Sequence, residues 1–361
     1  MKILHFDTRP DWRGGQHQIL LTMRGQRERG HEAHLLTRRA SPLERRASAE
    51  GFSVHTFASR LARFSGMLCL REMLDQQRFD VIHAHDPHAL SAAWLARAHR
   101  RDALVASRRV AYPLSRNRLA LARYRAADRI ITVSRFVAES VLASGIEASR
   151  VSIVHDGVEI PAATSAAARA AARRRWRVED RTMLLGCVGY LLPEKGQEIL
   201  IRAMPLVLTE FPACRLLLAG DGPLRVRLER LVADLDLQGA VIFGGFVENV
   251  SDVYAALDLF VFPSLAEPLG SSLLAAMAHG LPAVAVASGG VPEIIENAVD
   301  GILVPRATEA ELADAICRLL NDSREMQHLG QNARRKIMRE FTAAQLTDNT
   351  LHQYERALRP R

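Results

Sequence analysis

The feature that most constrains this chain is an alternation that runs through it twice. Short apolar runs rich in β-branched residues, "KILHF", "EAHLLT", "SVHTF", "DVIHAH", "ALVASR", "RIITVS" and "VSIVHDGV", are separated by stretches of helical character such as 16–29, 66–78 and 88–100. Repetition of this kind points to a parallel sheet, because a parallel neighbour needs a crossover long enough to hold a helix. A second series, "MLLGCVGY", "CRLLLAGDGP", "AVIFGGF", "LFVFPS", "PAVAVAS" and "GILVP", follows from about residue 182. At 361 residues the chain is too long for one ordinary core. The expected fold is therefore α/β: two Rossmann-like, doubly wound parallel-sheet domains facing each other across a cleft.

Between the two series lies "PAATSAAARAAARRRWRVED", residues 161–180, which reads as a linker plus a surface helix. The tail, 341–358, has the pattern of a further helix. The expected boundaries are 1–165 for an N-terminal domain, 166–340 for a C-terminal domain, and 341–361 for a terminal helix. "MKILHF" reads as a first strand rather than a secretory leader, and no apolar run reaches the length of a membrane span. Cys69, Cys187, Cys214 and Cys317 show no paired spacing, so a disulfide or zinc framework is not expected and a reducing cytoplasm is the expected setting.

Charge is unevenly spread. Residues 1–160 carry a net +10 and the remainder a net −2. The peak is 97–129, with ten Arg against two Asp. Such a stretch attracts an anionic partner: nucleic acid, an anionic membrane surface or a phosphorylated acceptor. It can equally be a solvated face. Only Tyr112 and Tyr124 could stack bases within it, which is thin for nucleic acid, and no specific nucleic-acid partner is expected. Only Lys2, Lys195 and Lys336 among the 48 basic residues are lysine. Lysine is a compact point charge where arginine is a planar fork, so an isolated Lys in an Arg-rich chain suggests a tight phosphate site.

Ligands of open parallel sheets bind at the carboxyl ends of the strands, and the informative residues sit there. In "VGYLLPEKGQEIL" Lys195 and Gly196 stand just before a helix, where free N–H groups favour an anion; a turn lysine facing solvent is the bland reading. In "FPSLAEPLGSSLLAAMAHG" a helix is expected to start near Ser271, leaving the N–H groups of Gly270, Ser271 and Ser272 unsatisfied. Glu267 stands beside them, either to accept hydrogen bonds from sugar hydroxyls or as a helix-dipole partner. "LAGDGPL" lacks the third glycine of a dinucleotide fingerprint and reads as a tight turn. Gly14 and Gly15 follow the first strand. His83, His85 and His88 crowd "HAHDPHAL", but neither cysteine nor a carboxylate cluster completes a metal set, so His85 is read as a strand-end residue on the acceptor side. Arg108 and Arg109 end another strand and suit an anionic acceptor, with a surface pair as the alternative.

Taken together, "LAGDGPLR", "FGGFVENVSDVYAALDLFVFPSLAEPLG", "AMAHGLPAVAVASGGVPEII" and "DGILVP", in this order and spacing, resemble the large family-four retaining glycosyltransferases of group 1, which have the GT-B fold. The likeness runs over nearly the whole chain and is strongest at 182–305. It implies that Lys195 holds the donor diphosphate and that Glu267, first carboxylate of the family's Glu-x7-Glu motif, lies against the donor sugar. Gly270, Ser271 and Ser272 then match the phosphate cradle, with Leu269 before them also among the donor-binding residues, Phe246 and Val247 the loop against the nucleobase, and Gly15 the glycine loop that closes on the donor. Gly189 and Tyr190 fall at the "VGR" segment, and the last helix matches one that crosses back to the first domain.

Three positions depart from that pattern: Ala275 replaces the second Glu, Tyr190 replaces the Arg, and Arg109 stands nearest to the usual His. Each lost hydrogen bond or charge would weaken a desolvated site by about 1–3 kcal/mol. The implied catalytic set is Glu267, Lys195 and Arg109. The implied reaction moves a sugar from a UDP, GDP or ADP sugar to an acceptor hydroxyl with retention, without a required metal or cofactor. A glycan or lipid-linked acceptor is expected, as in lipopolysaccharide, glycolipid or other cell-surface glycan synthesis, with the chain cytoplasmic and peripheral to the membrane's inner face. The alternatives are a nucleotide-sugar epimerase and a degenerate, non-catalytic relative that binds a ligand or partner.

Overall fold

A computed structural model describes residues 1–58, 62–114 and 117–359. Arg116 of the Arg-rich stretch, and residues 360–361 of the tail, lie outside them. The chain divides into two compact units, Met1–Gly157 with Ala343–Arg361, and Val158–Thr342.

The strands of the first unit are β1 (Lys2–Phe6), β2 (Glu32–Arg38), β3 (Ser53–Phe57), β4 (Val81–Ala84), β5 (Ala103–Arg108), β6 (Arg129–Thr132) and β7 (Val151–Ile153). They pair in the order β3-β2-β1-β4-β5-β6-β7, all parallel. The crossovers carry α1 (Gly14–Glu28), α2 (Pro42–Ala49), α3 (Ala62–Gln76), α4 (Pro87–Leu95), α5 (Arg118–Arg125) and α6 (Arg135–Leu142). Side chains alternate across the sheet. Leu4, Phe6, Ile82 and Leu104 enter one core layer, and Ile3, Val81, Val105 and Ile131 the other.

The second unit has β8 (Leu184–Val188), β9 (Arg215–Ala219), β10 (Val241–Gly245), β11 (Leu259–Phe262), β12 (Ala283–Val286) and β13 (Ile302–Val304), in the order β10-β9-β8-β11-β12-β13. These pairs too are parallel. Its helices are α7 (Ala166–Arg175), α8 (Gln197–Glu210), α9 (Arg225–Asp234), α10 (Val250–Ala256), α11 (Ser271–Ala278), α12 (Val291–Ile294), α13 (Glu309–Asn321) and α14 (Ser323–Glu340). The last helix, α15 (Ala343–Leu358), belongs to the first unit, where it packs on α1, β5 and β6. Both sheets are doubly wound. Their order reverses at the first strand, so crevices open at the β1/β4 and β8/β11 strand ends.

The stretch 161–180 is more than a linker with a surface helix. Arg173 of α7 is 1% exposed and donates to the carbonyls of Ala256 and Glu179, at 2.9 and 2.6 Å. Arg169 and Arg173 both pair with Asp258, at 2.6 and 3.2 Å, which pins α7 beside α10. Residues 158–165 also lie with the second unit: the Val158 N–H donates to the Phe341 carbonyl at 2.9 Å, and Arg334 to that of Pro161 at 2.7 Å. An arginine run that looks solvated by composition is here partly a set of buried anchors. Composition alone does not show that Asp258 waits at the head of β11.

Candidate functional site

The second unit builds its site at the β8/β11 crevice. Lys195 lies in the turn between β8 and α8, and Glu267 in the loop between β11 and α11. Although 72 positions apart, they are joined by a 2.7 Å ion pair from Lys195 Nζ to Glu267 Oε2. Ser264 Oγ donates to the same oxygen at 2.9 Å. The two loops are tied by backbone as well: the Leu265 N–H donates to the Glu194 carbonyl at 2.7 Å, and that of Gly290, after β12, to Glu267 O at 2.9 Å. Gly196 ends the Lys195 turn at φ 69°, and a Cβ there would stand 2.0 Å from the Pro263 carbonyl oxygen. Only glycine lets these strand ends close so tightly.

Glu267 is 5% exposed, which makes it a buried carboxylate with a cation and a hydroxyl on one oxygen. Both candidate readings of this residue, as a sugar-facing group and as a dipole partner, omitted its Lys195 bond. The helix α11 begins at Ser271, as expected, with Gly270 as an N-cap that offers no side chain. Its first N–H groups are thus free for an anion. Ser271 and Ser272 are half-buried and Leu269 is 1% exposed, so Leu269 is packed into the interior and its side chain faces no open site. Tyr254 Oη donates to the Ser272 carbonyl at 3.1 Å and braces the first turn from below. Ala275, one turn on, is half-buried.

Gly189 and Tyr190 follow β8, and Phe246 and Val247 follow β10. Tyr190 and Phe246 are exposed, at 42% and 64%, while Val247 is buried. Gln197 donates to the Tyr190 carbonyl at 3.3 Å. The other two lysines are ion-paired as well, Lys2 with Glu32 and Lys336 with the buried Asp300 at 3.1 Å. Lysine scarcity therefore marks ion pairs in this chain as much as it marks an anion site.

The first unit gathers polar side chains at its own reversal point. On one face of the sheet His5 and His83 sit directly opposite each other, one step beyond the apolar Ile3 and Val81. Ser107 follows one step further on β5, and His85 just past the end of β4. His5 Nε2 lies 2.8 Å from Gln26 Oε1, and His5 Nδ1 lies 2.8 Å from His85 Nε2. With the Gln26 amide so oriented, His5 donates to it and accepts from His85. This leaves His85 Nδ1 as a buried lone pair without a partner. His83 bonds Tyr354 Oη of α15 at 2.6 Å and Ser107 Oγ at 2.8 Å. Nitrogens of the three rings lie within 4.8 Å of one another, a spacing a metal ion could span. All of their ring nitrogens except His85 Nδ1 are already hydrogen-bonded. Burial lowers the pKa of His5 to about 4 and holds His83 and His85 well below the ordinary imidazole value.

Arg109 lies beside this cluster, paired with Asp156 just after β7, and both side chains are largely buried, at 15% and 11% exposure. Burial brings the Arg109 pKa down to about 10. A Cβ on Gly15 would lie 3.9 Å from Arg109 Cδ, so the fold joins these two candidates. Arg108 points elsewhere, to Tyr124 Oη at 3.4 Å and to the Tyr112 carbonyl, and is 4% exposed. On the neighbouring strand ends Asp7 and Asp86 are both buried. Burial and the Asp86 charge raise the pKa of Asp7. Asp86 caps α4 and accepts from Thr8. Sequence reasoning missed Ser264, Asp156, His5 and Tyr354. Asp156 was the most findable, since "HDG" directly follows a strand-like run.

Two family models match the chain: Glycosyltransferase Family 4 over residues 12–160, and Glycosyl transferases group 1 over 168–336. An uncharacterized glycosyltransferase of Methanocaldococcus jannaschii is 32% identical over 236 residues, 64% of this chain and 60% of that protein. The alpha-D-kanosaminyltransferase of Streptomyces kanamyceticus is 36% identical over 173 residues, 47% of this chain and 45% of that protein. The matches thus span about half to three fifths of these relatives' lengths. Among solved structures, HepE of Anabaena in complex with UDP and glucose superposes with a TM-score of 0.87 at 23% identity, over 98% of this chain and 99% of that one. That likeness shows the fold. Among the described residues, no helix is long and apolar enough to cross a membrane.

Proposed function

Since the chain belongs to the group 1, family 4 glycosyltransferases, we propose that it transfers a sugar from a nucleotide diphosphate sugar to an acceptor hydroxyl, with retention at the anomeric carbon. The observation that carries this reading is the Lys195–Glu267 pair at the β8/β11 crevice, beside the uncapped start of α11. A diphosphate seated on the α11 N–H groups brings its charge to Lys195. Electrostatic stabilisation of the leaving diphosphate is the main contribution such a site can make. As Lys195 turns to the phosphate, Glu267 is released to accept from the donor sugar's hydroxyls. The bond from the anomeric carbon to the diphosphate breaks, a bond to the acceptor oxygen forms, and the acceptor proton passes to the departing phosphate oxygen.

Tyr190 and Phe246, exposed after β8 and β10, offer aromatic surface to the nucleobase. The UDP seen with HepE supports a uridine donor as the first to try. Arg109, His85 and Arg108 belong to the acceptor side, on the basic first unit. That balance suits a glycan or lipid-linked acceptor at the inner face of the cytoplasmic membrane, in cell-surface glycan synthesis.

Calorimetric titration with UDP, GDP and ADP tests the reading. One nucleotide should bind saturably, and Lys195→Ala should weaken it. If well-folded protein binds none of the three, the donor site is not where we place it.

A further inference from the structure

Three arginines of the first unit gather at the start of α4 without a carboxylate to balance them. Arg63, at the beginning of α3, donates to His88 Nδ1 at 3.0 Å, and Arg123, on α5, donates to Ser91 Oγ at 2.6 Å. His88 and Ser91 are three residues apart on α4 and so share one face of its first turns. Arg108 joins them from the end of β5. Its guanidinium lies 4.8 Å from the Tyr112 ring centre and donates to Tyr124, over whose ring Arg123 lies at 5.8 Å.

Among the described residues, no carboxylate lies within ion-pair distance of any of the three. Asp86 is the nearest candidate along the chain, but its oxygens are occupied by Thr8 and by the His88 and Ala89 N–H groups. Elsewhere this protein pairs its arginines: Arg24 with Glu50, Arg101 with Asp75, Arg109 with Asp156, and Arg169 and Arg173 with Asp258. Arg108 is 4% exposed, yet its partners are all neutral. A buried charge without an opposite charge is costly. The cost is compounded by two neighbouring cations. Burial, and then the charges of Arg63 and Arg108, lower the pKa of Arg123. The missing component is an anion.

We propose that Arg63, Arg108 and Arg123 form a phosphate-binding site, and that the acceptor of the transfer reaction carries a phosphomonoester or diphosphate there. The second clause rests on the sugar-transfer reading; the first does not. Guanidinium forks match phosphate oxygens in pairs, so three of them gathered without a carboxylate suit a phosphate group. Apolar surface borders it: Phe64 next to Arg63, Leu119 one turn before Arg123, and Tyr112 on Arg108 are 57%, 70% and 61% exposed. The same phosphate chemistry can come from a soluble sugar or polyol phosphate or from a phospholipid headgroup.

The test is calorimetric titration with glycerol 3-phosphate, beside cosedimentation with phosphatidylcholine vesicles with and without phosphatidic acid. The chains compared are the wild type, the double variant Arg63→Gln/Arg123→Gln, and the charge-matched control Arg335→Gln/Arg339→Gln on the second unit. Arg108 is left intact because it is buried, and thermal melting checks the fold of each variant. We expect the first double variant to bind at least about tenfold more weakly and the control to stay within about twofold. Binding of glycerol 3-phosphate as tight as that of vesicles places the phosphate on a soluble acceptor; capture by phosphatidic acid vesicles alone places it on a lipid. Both support the site. No saturable binding in either format, or an equal loss in the control, overturns it. UDP, GDP and ADP titrations of the same variants separate this outcome from failure of the donor reading, because Lys195 and Glu267 are unchanged.

Discussion

Lys195 Nζ and Glu267 Oε2 lie 2.7 Å apart, and the carboxylate is almost fully buried. The proposed donor site therefore carries its own counter-charge before any ligand arrives, and on that reading binding must redistribute the pair. Lys195→Ala should weaken nucleotide diphosphate binding by about ten- to a hundredfold, the range of one lost hydrogen bond to a charged group. It should also lower the melting temperature, because Glu267 is left buried with only Ser264. Lys195→Met/Glu267→Gln should recover the melting temperature but not the binding. Calorimetry and thermal unfolding on the same samples check both halves.

Glu267→Gln separates catalysis from binding. The amide keeps the shape, and its carbonyl can still accept from Ser264. It cannot form the ion pair, so Lys195 is freed for phosphate. Nucleotide affinity should hold or rise slightly, while kcat for sugar transfer falls by more than about tenfold. Steady-state kinetics beside nucleotide titration gives both numbers; a loss of nucleotide affinity with kcat unchanged would mean that Glu267 acts on binding alone.

The sequence made the architecture legible because period and length leave few choices: short β-branched runs separated by helices long enough to cross over allow a doubly wound sheet and little else. It also made the Ser271 helix start legible, from small residues after a Pro-Leu-Gly turn. The pairing of Lys195 with Glu267 was not legible. It depends on β8 and β11 being neighbours, which no local pattern states. The same holds for Arg109 with Asp156, where β5 and β7 flank β6, and for Tyr354, whose hydroxyl reaches His83 across 271 positions. The arginine run at 166–175 misleads by composition because Asp258, its partner, lies in another segment.

Gly220 tests how tightly the strand ends of the second unit are packed. It sits at φ 143°, and a Cβ would lie 1.9 Å from the Gly189 carbonyl oxygen. Gly220→Ala should cost about 2 kcal/mol or more, from backbone strain and from displacement of the β8 turn. Gly239→Ala is the control, since a Cβ there meets nothing within 4 Å. It should be neutral or stabilise by up to about 1 kcal/mol. Urea unfolding midpoints of the two variants give the comparison.

Arg109 and Asp156 are a largely buried pair, so removing one partner should cost more than removing both. Asp156→Ala leaves the guanidinium uncompensated and should destabilise the first unit by about 3–5 kcal/mol. Arg109→Met/Asp156→Leu should lie well above either single variant. A double-mutant cycle by denaturant unfolding measures the coupling. Additive losses would mean that the pair contributes little.

The buried imidazoles set the acid limit of the fold. His5 is held at about 4 against an ordinary 6.5, and His83 and His85 lie well below 6.5, in each case chiefly through burial. Between about pH 6.5 and 4 the unfolded chain therefore binds protons that the folded chain refuses. Stability rises with pH wherever the unfolded state holds more protons, so this contribution is full above the unfolded value and is lost as pH falls through that window. Asp7 acts in the opposite sense: its raised value makes its contribution greatest in acid and lost as pH rises. Three imidazoles against one carboxyl leave the acid side losing. Unfolding midpoints measured across this range should fall steeply below about pH 6.5. In His85→Gln the fall should be shallower by about one proton's slope, while the neutral-pH midpoint changes less than the acid one. An unchanged slope would show that His85 is protonated in the folded chain.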